Sequence, residues 1–277
     1  MQTTCARKPT AIEPAEPCSA TADQNSKPAL TERARSRQLS CAGPLLLVMG
    51  RSALMFPAQA LTACVLWLYS HSWSWNAAAK WWTVYGTLVD MGCLALMVVY
   101  TRKEGIRLCD LIGPVRLRWG RDLFLGIGCL ALVFCAFAVA FPAASRLVYG
   151  SSMPNLYPGL LYARILPSWG VIYSLSLFWI IWSPTEEMTY NGYALPRLEV
   201  LFGKRWMAVA VVAFWWALQH SFIPFILDWK YVLFRFIGFI PGVLVFALLY
   251  LKIRRLPPLI VAHWSMDIYA IVYTLRF

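Results

Sequence analysis

The apolar run "VIYSLSLFWIIW" (residues 171–182) passes directly into "SPTEEMTYNGYALPRLE" (183–199), so two adjacent carboxylates, Glu186 and Glu187, follow a stretch with the character of a membrane span. Read as one helix, the segment continues through "MTYNGYA" and stops near Pro196, where the amide hydrogen is missing. That sets the acids about 12 Å inside the helix end at 1.5 Å per residue. An ionisable group at membrane depth is costly unless paired or hydrated, so the two acids are functional candidates and not boundary charges.

The rest of the chain agrees with a lipid solvent. Hydrophobic residues make up 60% of the 277 and charged residues only 14%, far from the balance of a soluble domain. The apolar residues come in blocks of roughly 20, the length that crosses a bilayer as a helix. The fold class is therefore all-α, a polytopic transmembrane bundle, with spans near 48–70, 81–100, 123–142, 169–194, 206–223, 231–251 and 257–275. Residues 1–42 are rich in Ala, Pro, Thr and Ser and read as a disordered cytoplasmic tail ahead of a transmembrane domain at 43–277. Their first 20 residues hold no apolar core of the signal-peptide kind, so the first span is expected to direct insertion.

Lys and Arg number six before the first span, one in 71–80, six in 101–122, two in 143–168, three in 195–205, one in 224–230 and three in 252–256. By the positive-inside rule this alternation puts the N-terminus in the cytoplasm and the C-terminus outside. It also accounts for the net charge of +12 as membrane topology, so no nucleic-acid partner is expected and the bilayer is the expected surround. The external segment 143–168, with Pro, Gly and aromatics, reads either as an amphipathic lid or as an ordinary loop. Eight cysteines form no CxxC pair and indicate neither a disulfide framework nor a zinc ribbon.

Few ionisable residues fall within the spans. Arg51 and Arg235 lie near expected span ends, where a long side chain can snorkel to the interface. Asp90, in "VYGTLVDMGCLAL", reads as an interhelical hydrogen bond or a polar wall. Five remain: Glu186, Glu187, His220 in "AFWWALQHSFIP", and His263 and Asp267 in "LIVAHWSMDIYA". At about 100° per residue, Glu186 and Glu187 point different ways. Glu187 and Asn191 share a face, as do His263 and Asp267, and Trp216 lies one turn before His220. Two of the three histidines in the chain thus join three acids on neighbouring spans.

Such a set suits hydrolysis. A carboxylate in a low-dielectric cavity can act as general base on water, and histidines beside it can donate to a developing oxyanion or ligate a metal. No HExxH and no GxSxG motif is present. The base role therefore falls to a carboxylate, directly or through a metal.

In order and spacing, "EEMTYNGYALPRLE", "FWWALQHSFIP" and "HWSMD" resemble the EExxxR, FxxxH and HxxxN/D motifs of the CPBP family, the CAAX proteases and bacteriocin-processing enzymes. The resemblance covers about 170–270, and "GYALPRL" is similar to the bacterial branch. It implies a glutamate intramembrane endopeptidase of a bacterial cytoplasmic membrane, acting on a membrane-associated peptide or protein. Carried over by position, it implies Glu186, Glu187, His220, His263 and Asp267 as catalytic residues, with Glu186 ahead of Glu187 as the water-activating base. Tyr190, Asn191 and Trp216 fall to the substrate cavity. Zinc stays open as a cofactor, and a metal-dependent enzyme would use His220, His263 and Asp267. Two positions depart from the pattern: Asn191 stands where the motif has Arg, and Trp216 where it has Phe. A neutral amide supports the charge of Glu187 less than a guanidinium would. The alternatives are a non-catalytic membrane scaffold or immunity protein, and a proton-coupled transporter using the same groups as a relay.

Overall fold

In lipid a backbone N–H or C=O finds no water, and a helix satisfies both within its own segment. The elements of the chain follow that constraint. The computed structural model describes residues 23–113, 119–151 and 166–275, and among the described residues there is helix and no strand. A short α1 (Lys27–Arg35) precedes α2 (Ala42–Ser70), α3 (Trp75–Ala79), α4 (Trp82–Lys103), a 3₁₀ turn (Leu108–Leu111) and α5 (Trp119–Tyr149). A long helical run follows: α6 (Ser168–Tyr173), a π-helical stretch (Ser174–Phe178), α7 (Trp179–Glu187), a second π-helical stretch (Met188–Ala194) and α8 (Leu195–Phe202). Then come α9 (Arg205–Ser221), α10 (Trp229–Ile253) and α11 (Pro257–Leu275).

Four helices are long and apolar enough to cross a membrane: α2, α4, residues Gly120–Tyr149 of α5, and α10. Each of the seven expected spans is occupied by helix. However, α9 has 17 residues, the 169–194 region is interrupted by two π-helical stretches, and the 19-residue α11 is not among the four, so length and composition give four candidate spans and not seven. Helix α5 packs along α10 and α11, α9 packs against α10 and α2, and α4 lies on α2. Tyr190, Trp216, Phe246 and Leu259 belong to the larger core that these helices enclose.

Three expectations change. The helix carrying the acids does not stop at Pro196. That residue sits where the run passes from π- to α-helical geometry, Asn25 Nδ2 donates to Gly192 O four residues before it, and the helix runs to Phe202 and ends at Gly203, whose φ of 65° is the left-handed cap that glycine provides. Residues 1–42 are not disordered throughout. Residues 1–22 lie outside the described ones, but Asn25 and α1 dock beside α8: Leu30 is fully buried, Asn25 Nδ2 donates to Gly192 O at 2.7 Å, and Arg197 Nη1 donates to Asn25 Oδ1 at 3.0 Å. This docking is largely polar, so apolar periodicity carries no trace of it. Finally, α5 extends to Tyr149 and takes the start of the 143–168 segment into helix. Residues 152–165, where the lid reading falls, lie outside the described residues.

Gly192 shows why the second π-helical stretch tolerates no bulk there. A Cβ at this position would lie 2.9 Å from Leu256 Cδ1 and 3.1 Å from Leu111 O. The backbone of the site helix is thus pressed against the 3₁₀ turn and the start of α11.

Beyond Pro196, Glu199 is 3% exposed and gathers cations from three places. Arg254 Nη2 donates to Oε2 at 2.6 Å, Arg205 Nε donates to Oε1 at 3.0 Å, and Lys27 Nζ lies 3.8 Å away. Burial pushes this carboxyl up, but its hydrogen bonds and proximity to Arg254 and Arg205 outweigh it and hold the group below its usual value of 4.5. A depressed carboxylate contributes stability that is complete above its unfolded pKa and is lost as pH falls through the lower folded value. Wild-type protein should therefore be more stable than Glu199→Gln at neutral pH, and the gap should close on acidification below about pH 4.5. Unfolding midpoints of the two proteins across pH 3–7 check this, and equal stability at pH 7 would refute it.

Candidate active site

Glu186 and Glu187 end α7 and are both fully buried. As consecutive helical residues they diverge. Glu186 turns toward α9 and α2, accepting a hydrogen bond from Trp216 Nε1, with His220 Nε2 at 3.6 Å from Oε1 and Arg51 Nη2 at 3.5 Å from Oε2. Glu187 turns toward α11. Its Oε1 accepts from His263 Nδ1 at 3.0 Å, and its Oε2 accepts from Asn191 Nδ2 at 2.8 Å. The amide at position 191 thus makes the i, i+4 contact expected of it, across the start of the π-helical stretch.

The imidazoles differ in commitment. His220 Nδ1 lies 3.0 Å from Trp216 O; a carbonyl only accepts, so Nδ1 carries the hydrogen and Nε2 is the atom turned to Glu186. His263 gives Nδ1 to Glu187, and its Nε2 lies 3.9 Å from Asp267 Oδ1. Asp267 Oδ2 in turn accepts from Ser183 Oγ, which ties α11 to α7. Tyr190 stacks on Trp216 with centroids 4.9 Å apart and planes 9° from parallel, and Phe246 flanks His263 at 5.2 Å. The side chains of His220 and Asp267 are 13% and 16% exposed while the two glutamates are at 0%, so these two are the members of the cluster that reach the protein surface.

The structure thus brings Glu186, Glu187, Asn191, Trp216, His220, His263 and Asp267 into one buried cluster, with Tyr190 in its wall. Sequence reasoning missed part of it. Trp216 is more than a wall, because its indole N–H bonds the first acid. Arg51 does not snorkel: it is fully buried, with Nη1 at 2.8 Å from Asp90 Oδ1 and Nε donating to Gln219 Oε1 at 2.7 Å. Asp90 is this arginine's partner. Arg235 does not snorkel either. It closes the end of α9, Nε donating to His220 O at 2.9 Å and Nη2 to Ile223 O at 2.7 Å. Gln219, an uncharged polar residue buried on the apolar helix α9, gave a signal that a search for ionisable groups alone passes over.

Nδ1 of each histidine is bonded to a protein acceptor, which leaves Nε2 as the free ring nitrogen, and among the described residues no group of three or more His, Cys, Asp or Glu is disposed to hold a metal.

Residues 167–269 match the family described as Type II CAAX prenyl endopeptidase Rce1-like, consistent with the CPBP/CAAX protease family that the three motifs resemble. The matched segment contains Glu186, Glu187, His220, His263 and Asp267, and the family is one of proteases. No curated protein and no solved structure matches the chain. With four helices long and apolar enough to cross a membrane, and a segment that matches a family of proteases, the chain is an integral membrane protein.

Proposed function

We propose that the chain is an intramembrane endopeptidase that hydrolyses a peptide bond of a membrane-associated protein or peptide. The observation that carries this reading is the convergence of Glu186, Glu187, His220, His263 and Asp267, from three helices inside the matched segment, on one buried polar cluster. Seven spans with the N-terminus in the cytoplasm and the C-terminus outside belong to the same proposal, supported by the alternation of Lys and Arg between helices.

Glu186 is the base. Both oxygens of Glu187 are taken by fixed protein donors, whereas Glu186 Oε2 accepts no hydrogen bond and Oε1 faces the more accessible histidine. A water bound to Glu186 and to His220 Nε2 gives a proton to Glu186 as its oxygen attacks the scissile carbonyl carbon. The C=O electron pair moves onto oxygen, the C–N bond breaks as the tetrahedral species collapses, and the proton on Glu186 passes to the departing nitrogen. Glu187 orients His263 by accepting from Nδ1–H, and as the imidazolium His263 has its Nε2–H, with Asp267 beside it, to donate to the oxyanion.

The test uses purified protein in liposomes with a library of membrane-anchored peptides, products being read by mass spectrometry. A discrete new C-terminus that disappears with Glu186→Gln is the expected result. Unchanged hydrolysis in both Glu186→Gln and Glu187→Gln would sink the mechanism. Absence of product from every preparation would favour the scaffold, and pH-dependent uptake without cleavage the transporter.

A further inference from the structure

The cation facing the acid pair comes from a helix that the family match does not include. Arg51 lies on α2, outside residues 167–269, and among the described residues its guanidinium is the one within ion-pair distance of Glu186. We infer that Arg51 is a positioning residue for hydrolysis, fixing the Glu186 carboxylate from α2. The inference rests on Glu186 being the base.

The geometry separates holding Arg51 from using it. Asp90 takes the close pair at 2.8 Å, Gln219 Oε1 accepts from Nε at 2.7 Å, and the guanidinium lies 4.4 Å over the Trp182 ring. These contacts come from α4, α9 and α7 and leave the planar fork little freedom. Toward Glu186 Oε2 the separation is 3.5 Å, with no hydrogen bond to that oxygen. Arg51 therefore provides positive charge beside the carboxylate without occupying the lone pairs that must receive a proton from water.

The same clamp reaches the histidine. Gln219 Oε1 also accepts from Tyr190 OH at 2.9 Å, Tyr190 stacks on Trp216, and Trp216 bonds Glu186 through its ring and His220 through its carbonyl. One buried network thus spaces the base and its histidine, and Arg51 anchors it. At position 191 an arginine would instead have met Glu187, the acid already held by His263.

Removing Arg51 alone leaves Asp90 buried without its partner and can unfold the protein, so the decisive variant is the double Arg51→Met, Asp90→Asn, which removes both charges together. Arg51→Lys keeps the charge and loses the fork. Rates are measured on the best peptide from the library, beside Glu186→Gln and with an unfolding midpoint for each protein. The double variant should keep its midpoint, and kcat and kcat/KM should fall together by about 10²-fold with KM unchanged, the size expected when a reacting group is misplaced by about 1 Å. Arg51→Lys should fall between the double variant and wild type. A folded double variant with wild-type kcat overturns the inference, and so does one in which activity falls only in step with the midpoint. If Glu186→Gln itself cleaves normally, it is the base role given to Glu186 that fails, which the Glu186→Gln arm shows separately.

Discussion

Glu186→Gln is expected to leave a folded protein whose kcat is lower by about 10²–10⁴-fold, the range over which a positioned general base contributes. Gln keeps the shape of the side chain, and its carbonyl oxygen can still accept from Trp216 Nε1, so the local packing has little reason to change. What is lost is the ability to take a proton from water. Glu187→Gln differs in kind. Its carbonyl can still serve one of its two donors, His263 Nδ1 at 3.0 Å or Asn191 Nδ2 at 2.8 Å, but not both with the former strength. A hydrogen bond to a charged group is worth about 1.5–3 kcal/mol, which translates into roughly ten- to hundredfold in rate if all of it is felt in the transition state. Single-turnover rates of the two variants on the same peptide check the ranking, and the reverse order would assign the base role to Glu187.

The largest expected effect on stability lies outside the reaction. Arg197 is fully buried and donates from Nε to both oxygens of Glu104 at 2.9 and 3.0 Å, from Nη2 to Glu104 Oε2 at 2.6 Å, and from Nη1 to Tyr193 O at 3.2 Å and Asn25 Oδ1 at 3.0 Å. Tyr193 OH donates to Glu104 Oε1 at 2.7 Å. One side chain therefore joins the site helix, the end of α4 and the docked N-terminal segment. Arg197→Met should destabilise the protein by about 3–5 kcal/mol, because Glu104 is left buried without its counter-charge. Arg197→Met with Glu104→Gln should recover most of the loss, since the penalty comes mainly from the orphaned charge. Unfolding in SDS of both variants and wild type measures this. Equal destabilisation in single and double variants would show that the bonds themselves, and not the stranded charge, carry the energy.

Glu186, Glu187, His220, His263 and Asp267 were legible because ionisable residues in apolar segments are rare and their periodicity tells which can share a face. The i, i+4 contact of Glu187 with Asn191 could be read in the same way. Other parts were out of reach for physical reasons. Arg51 reads as a boundary residue if the span begins at 48. Helix α2 begins at Ala42, so Arg51 lies about two and a half turns inside it, where it cannot reach water. Its pairing with Asp90 and Glu186 depends on how α2, α4 and α7 assemble, which no local pattern encodes. The π-helical stretch after Glu187 and the polar docking of Asn25 likewise depend on tertiary contacts and leave no periodic signature.

In the proposed mechanism water activated by Glu186, and no protein nucleophile, attacks the scissile carbonyl. This attack is tested most directly by a single turnover of a membrane-anchored peptide in ¹⁸O-labelled water containing hydroxylamine, the products being read by mass spectrometry. Direct attack by water predicts a new C-terminal carboxylate carrying one ¹⁸O and no hydroxamate. A hydroxamate product would reveal an acyl-enzyme on a protein side chain and would contradict the role given to Glu186.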